Sequence, residues 1–174
     1  LLSDTLATYG LLSQKSELIK ESPLWSLLFQ IHTYLGGLAL IVGWPQFIKK
    51  FRNKNIQFHR LLGKVYLLAI LFSGLSGVYI AYYAEGGWVT QLGFLGLAFA
   101  WLYTSSRAYF SIRKLKIDAH QRWMIGSYAV TFAAVTLRVW LPLFQNGFGM
   151  EFHSAYAIIA WLCWVPTCFE QNGM

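Results

Sequence analysis

Charge is what this chain has least of. Of its 174 residues only 12% are Asp, Glu, Lys or Arg, and just seven are acidic, where a soluble domain carries about 25% charge. So few charges cannot keep a chain of this size solvated as a globule, which excludes the ordinary soluble classes. Cysteine is nearly absent: Cys163 and Cys168 lie in or beside one apolar segment, so no disulfide framework holds the chain. A secretory leader pattern is missing at the start, where Lys15, Glu17, Lys20 and Glu21 interrupt any apolar run. There is no phosphate loop, dinucleotide fingerprint, nucleophile elbow or His-Glu-x-x-His pair, so the common catalytic signatures are excluded. No repeat recurs at 20–50 residue spacing.

What is there is apolar. Hydrophobic residues make up 56% of the chain and aromatics 18%, and the mean hydropathy is +0.45. Five segments, 24–48, 61–84, 88–112, 122–144 and 153–169, are long enough or nearly so to cross about 30 Å of hydrocarbon. None alternates as a barrel strand would, and helices are the remaining way to satisfy a backbone in lipid. The expected fold is all-α: a polytopic membrane bundle with five transmembrane helices over residues 24–170.

The net charge of +7 is distributed as a membrane topology rather than as a nucleic-acid surface. Lys49, Lys50, Arg52, Lys54 and Arg60 crowd one loop, and Arg113, Lys114, Lys116 and Arg122 another. The loops around Glu85–Trp88 and Gln145–Phe152 have no Lys or Arg. The positive-inside rule then makes loops 49–60 and 113–122 cytoplasmic in a bacterial inner membrane. Residues 1–23 become an extracytoplasmic segment, and 171–174 a cytoplasmic tail. Within the former, 11–21 reads equally as a short amphipathic surface helix or as a solvated loop. Trp25, Trp44, Trp88 and Trp123 fall near the expected interfaces.

Four histidines remain, and they fall at two depths. His32 and His153 lie toward the outer face; His59 and His120 lie at the inner one. Two neutral imidazoles at one level on facing helices are what a b-type haem needs as axial ligands. The glycines at 36, 37 and 63, one turn from His32 and His59, would let a flat group approach the backbone. The plainer reading of His59 and His120 is interfacial: helix-end histidines meet headgroups or close a loop. His32 sits deeper, where an ionisable side chain is a functional candidate by default. A zinc site built on the same histidines is a further alternative, with Asp118 near His120 and Glu151 near His153, but zinc wants three or four converging ligands.

Arg138 lies about 27 Å beyond His120 along its helix, at the level of His32 and His153. It reads either as a partner for a propionate, phosphate or Glu151, or as a side chain snorkelling to the outer headgroups. Arg107 poses the same choice, with snorkelling the simpler answer. Arg60 and Arg122 adjoin the inner histidines and suit propionates, or more simply cytoplasmic phospholipid. Ser73-Gly74-Leu75-Ser76-Gly77 makes a stripe of small residues, best read as a helix-packing face. Pro45, Pro142 and Pro166 mark helix ends or kinks.

Two stretches carry a family resemblance. His59-Arg60-Leu61-Leu62-Gly63-Lys64-Val65-Tyr66 resembles the HRxxGxxY signature of the DUF2306 membrane family, and His120 to Tyr128 followed by Thr131 to Arg138 resembles it again. The stretches His32 to Gln46 and Trp161 to Pro166 are similar to that family too, so the resemblance covers about residues 25–170. Gly126 stands where the family often has Arg, and Thr167 where Asn is common. The resemblance implies a bacterial, partly fungal, integral membrane protein, and an additional apolar segment upstream of Leu1. It implies no activity. The histidine layout is also loosely similar to that of cytochrome b561-type proteins, without a shared motif.

Three functional expectations follow. The first is haem b held by His32 with His153 and by His59 with His120, passing electrons across the membrane. This requires the first and fifth spans to be neighbours outside, and the second and fourth inside. The second is a non-enzymatic accessory or structural subunit whose partners are lipids and other membrane subunits. The third is a transporter, quinone or lipid site, with Arg138, Trp140 and Phe144 around a quinone head.

Overall fold

The computed structural model describes residues 22–166. The surface segment expected over 11–21, and the tail at 171–174, lie outside the described residues. Those described form helices and turns, with no strand among them. The helices are α1 Pro23–Gly43, α2 Lys49–Lys54, α3 Ile56–Tyr82, α4 Gly87–Arg113, α5 Ile117–Pro142 and α6 Phe152–Leu162.

Local chemistry sets the helix ends. The Ser22 hydroxyl accepts from the Trp25 amide and Pro23 opens α1, where its missing N–H costs nothing. A 3₁₀ turn, Trp44–Phe47, carries Pro45 and ends this helix. The Asn55 side chain accepts from the Phe58 amide and starts α3. Between α3 and α4, Gly86 and Gly87 take φ of 92° and 79°, a left-handed turn that a side chain would strain. Pro142 ends α5, and a π-helical turn, Leu143–Gly147, follows.

Three stretches are long and apolar enough to cross a membrane: Pro23–Phe47, Ile56–Tyr82 and Ile117–Gly147. The 27 residues of α4 would reach about 40 Å, but Gln91, Thr104, Ser105, Ser106 and Arg107 dilute its apolarity. Within the fifth expected span, 153–169, the helix runs from Phe152 to Leu162, 11 residues, or roughly 16 Å; residues 167–169 lie outside the described residues. A turn at Cys163 and Trp164 interrupts it before Pro166.

Packing is centred on α3 and α4, which lie against each other. On the outside of this pair α1 packs along α3, α5 along α4, and α6 against α4. The faces are inverted relative to a soluble bundle. Leu68, Leu71, Phe72 and Leu75 of α3 point outward, while Ser73, Gly74, Ser76 and Gly77 are buried. Lipid makes no demand that Leu or Phe be hidden, so small residues take the interface, where backbones approach closely. The stripe read from the sequence as a packing face does this work: a Cβ on Gly74 would lie 2.6 Å from Leu102.

One buried polar network ties three helices together. Tyr66 of α3 is fully buried, and its hydroxyl lies 2.9 Å from Ser127 and 3.1 Å from Thr131 of α5. Trp101 of α4 donates its indole N–H to Thr131 at 2.8 Å. Ser105 of α4 meets Ser127 at 2.7 Å. Thr131 spends its own proton on the Ser127 carbonyl, so it accepts from both Trp101 and Tyr66. Every hydroxyl finds a partner, as burial away from water demands. The backbones of α3 and α5 stay apart, and these side chains bridge them.

Candidate functional site

A cavity of about 480 Å³ opens in the half of the bundle opposite the basic loops. Its cause is the crossing of α1 and α5. They converge at the basic end, where Gly43 lies so close to the Tyr128 and Tyr66 rings that a Cβ there would meet them at 2.6–2.9 Å. The Tyr128 hydroxyl donates to the Leu40 carbonyl at 3.2 Å just above. Beyond that point the cavity opens between the two helices, and the backbones of α1 and α6 do not approach each other closely. The gap is floored by α3 and α4 and walled by α1 on one side and α5 and α6 on the other. Gly37 faces open space, where an added methyl group would meet nothing within 4 Å.

His32 projects into this cavity from α1. Its Nδ1 lies 2.9 Å from the Ser73 carbonyl of α3. A carbonyl only accepts, so Nδ1 carries the proton and the neutral ring keeps its lone pair on Nε2. Ser73 holds the same residue a second time, its hydroxyl donating to the His32 carbonyl at 2.8 Å. Gly77 makes room for the ring, since a Cβ there would be 3.1 Å from Cε1 and Nδ1. Trp101 stands edge-on to the imidazole, centroids 6.4 Å apart. Arg138 of α5 lines the same cavity and is near enough for its charge to act on the ring. One of its nitrogens donates to the Ala134 carbonyl at 2.8 Å, and the side chain is exposed. The structure therefore brings His32 and Arg138 into one space.

It does not bring His153 there. His153 opens α6, is exposed, and sits 3.9 Å from Glu151; it is not part of the cavity wall. The expectation that the first and last helices are neighbours is thus corrected, because α6 is drawn against α4 instead. Gly93 lets it dock so closely that a Cβ would lie 2.8 Å from the Ala160 Cβ and 3.0 Å from its carbonyl oxygen.

At the basic end His59 and His120 are close enough for their charges to interact, with Arg52 and Arg60 also near His59. Their helices α3 and α5 meet through side chains, as at Tyr66 with Ser127 and Thr131, while α4 packs closely against both. His120 donates Nδ1–H to the Ala108 carbonyl of α4 at 2.9 Å, closing the α4–α5 hairpin. His59 Nδ1 is buried without a hydrogen-bond partner, as is Gln46 Nε2. Arg60 is exposed. Arg122 is exposed too, beside a shallow depression shared with Lys116 and Asp118. Arg107 lies over the Trp123 ring at 5.2 Å and the Tyr103 ring at 5.9 Å, so its charge is held on aromatic faces. Among the described residues no three His, Cys, Asp or Glu side chains gather as a metal site would require. Trp140 and Phe144 meet edge to face, centroids 5.9 Å apart, outside the cavity wall.

Sequence reasoning missed Ser73 as the partner of His32, and the Tyr66 network. The signal was present: Ser127 and Thr131 are four apart on α5, hence on one face, and Thr104 and Ser105 interrupt an otherwise apolar α4.

Long helices with lipid-facing leucines and buried hydroxyls define a polytopic α-helical membrane protein. The profile of the DUF2306 family, described as a predicted membrane protein, matches residues 29–169. The chain belongs to that family. No curated protein and no solved structure matches it.

Proposed function

We propose that this membrane protein binds a lipid-soluble small molecule of the quinone class in the cavity between α1 and α5. The observation that carries the reading is the placing of His32 and Arg138 in one cavity whose other walls are mostly apolar, with Thr33, Glu85 and Thr131 as the further polar groups. An acceptor on the imidazole and donors on the guanidinium suit a neutral ring bearing oxygens, and the apolar walls suit its tail. Depth favours such a head over a phosphate. His32 lies nine residues into α1, roughly 14 Å below the helix start, beneath the level of lipid headgroups. Aromatic Phe29 and Trp101 flank the space.

The test is the content of the purified protein. Solvent extraction followed by ultraviolet spectroscopy should recover near-stoichiometric quinone from the wild type. Gly37→Phe, at a position where an added Cβ meets nothing within 4 Å, should lose most of it while keeping its thermal stability. Equal quinone in both, or none in either, contradicts the proposal.

A second reading, haem b with electron transfer, is favoured by one observation. Both His32 and His120 donate Nδ1–H to a backbone carbonyl, which orients Nε2 as iron-ligating histidines are oriented. An optical spectrum of the same preparation decides it: a sharp visible band on reduction supports haem, and a colourless protein removes it. A preparation with neither haem nor quinone that copurifies with other subunits leaves the accessory-subunit reading.

A further inference from the structure

The tautomer of His32 decides which oxidation state of a quinone the cavity prefers, given the quinone-class reading above. We infer that the cavity selects the quinol over the quinone, because His32 presents a hydrogen-bond acceptor where the ligand's oxygen must sit.

Donors and acceptors can be counted. The Ser73 carbonyl takes the Nδ1 proton at 2.9 Å, so the neutral ring has a lone pair, and no proton, at Nε2. Turning the ring over would set the carbon Cδ2 where Nδ1 stands and forfeit the Ser73 bond. The Trp101 ring stands edge-on beside the imidazole, centroids 6.4 Å apart. Among the described residues both hydrogen-bond contacts of the ring are made at Nδ1, and the residue faces the cavity.

A quinol hydroxyl donates to the Nε2 lone pair, and its second oxygen accepts from the Arg138 guanidinium, one nitrogen of which already donates to the Ala134 carbonyl. A quinone satisfies only the Arg138 half. Its other carbonyl would set an oxygen lone pair against the nitrogen lone pair, leaving two acceptors facing each other without a proton. Burial makes such an unmatched pair expensive. A ligand held through Arg138 alone would show no preference, so selectivity is the signature of His32 contact.

The experiment uses the detergent-solubilised full chain at pH 8, above the ordinary imidazole range, and reads binding by tryptophan fluorescence. Three probes share one scaffold: a decyl-substituted benzoquinol kept under argon, the matching benzoquinone, and the di-O-methyl ether of the quinol. The quinol should bind roughly ten- to hundredfold more tightly than either other probe, the range expected for one buried hydrogen bond made or lost. His32→Gln, whose amide offers either a donor or an acceptor, should bring quinol and quinone to within about threefold. Equal affinity of the wild type for quinol and quinone overturns the selectivity and leaves the cavity reading standing. A preference unchanged in His32→Gln overturns the role of His32. Failure of all three probes to bind overturns both the selectivity and the quinone-class reading.

Discussion

Gly93→Leu is expected to unseat α6 and destabilise the bundle by about 3 kcal/mol, the upper range for overpacking a tight interface. The reason is what stands opposite. A Cβ at position 93 would lie 2.8 Å from the Ala160 Cβ, 3.0 Å from its carbonyl oxygen and 3.1 Å from its carbonyl carbon. Two of those atoms are backbone, so relief requires α6 to move as a body. That helix has only 11 residues, and its hold on the bundle is this face against α4 together with Phe152, Ala155 and Ile159 in the core beside α5. Even Gly93→Ala should be measurably destabilising. Gly37→Ala, with nothing within 4 Å, should change stability by no more than about 0.5 kcal/mol. Thermal unfolding in detergent followed by circular dichroism separates the three. Equal midpoints for Gly93→Leu and Gly37→Ala would mean that α4 and α6 are not in contact.

Tyr66→Ala should be the most damaging single change in the core, at about 3–5 kcal/mol. It removes a fully buried ring that packs with Ala69, Ile70 and Trp101, and it strips Ser127 and Thr131 of a shared partner. Tyr66→Phe isolates the hydroxyl. It should cost about 1–2 kcal/mol, in line with polar bonds between membrane helices, because Ser127 retains Ser105 and Thr131 retains Trp101. The ordering of Tyr66→Ala below Tyr66→Phe below wild type, read by chemical denaturation in mixed micelles, checks the network. A Tyr66→Phe variant as stable as the wild type would show that the hydroxyl bridge between α3 and α5 carries no weight.

Much of the fold is legible in the sequence because lipid imposes a coarse rule. Apolar runs long enough to cross must be helices, and Pro45 and Pro142 mark helix ends where the structure has them, whereas the start of α3 behind Asn55 falls before the expected residue 61. In the last run a turn stands at Cys163 and Trp164, which the unbroken apolar character of the sequence there does not mark. Neighbour relations are not legible. In water the apolar face of a helix points to the core, and its period reveals it. Here Leu68, Phe72 and Leu75 point to lipid while Ser73 and Gly77 point inward, so no apolar stripe identifies the buried face. Sequence orders the histidines by depth but is silent on which of them face each other. Facing depends on Gly77, Gly43 and Gly93, which set how closely the backbones approach. Those contacts carry α1 against α3 and α6 against α4, and they part His32 from His153. His32 and Arg138 share a cavity because α1 and α5 splay from a crossing at Gly43 and Tyr128, which no local pattern encodes.

An experimental density map of the protein purified in lipid nanodiscs tests the central claim most directly. The account predicts α1 and α5 splayed around a flat, ring-sized density between His32 and Arg138, with His32 Nδ1 on the Ser73 carbonyl. Contradiction would be α1 packed against α6 with the space closed, or the rings of His32 and His153 facing one another across a shared ligand.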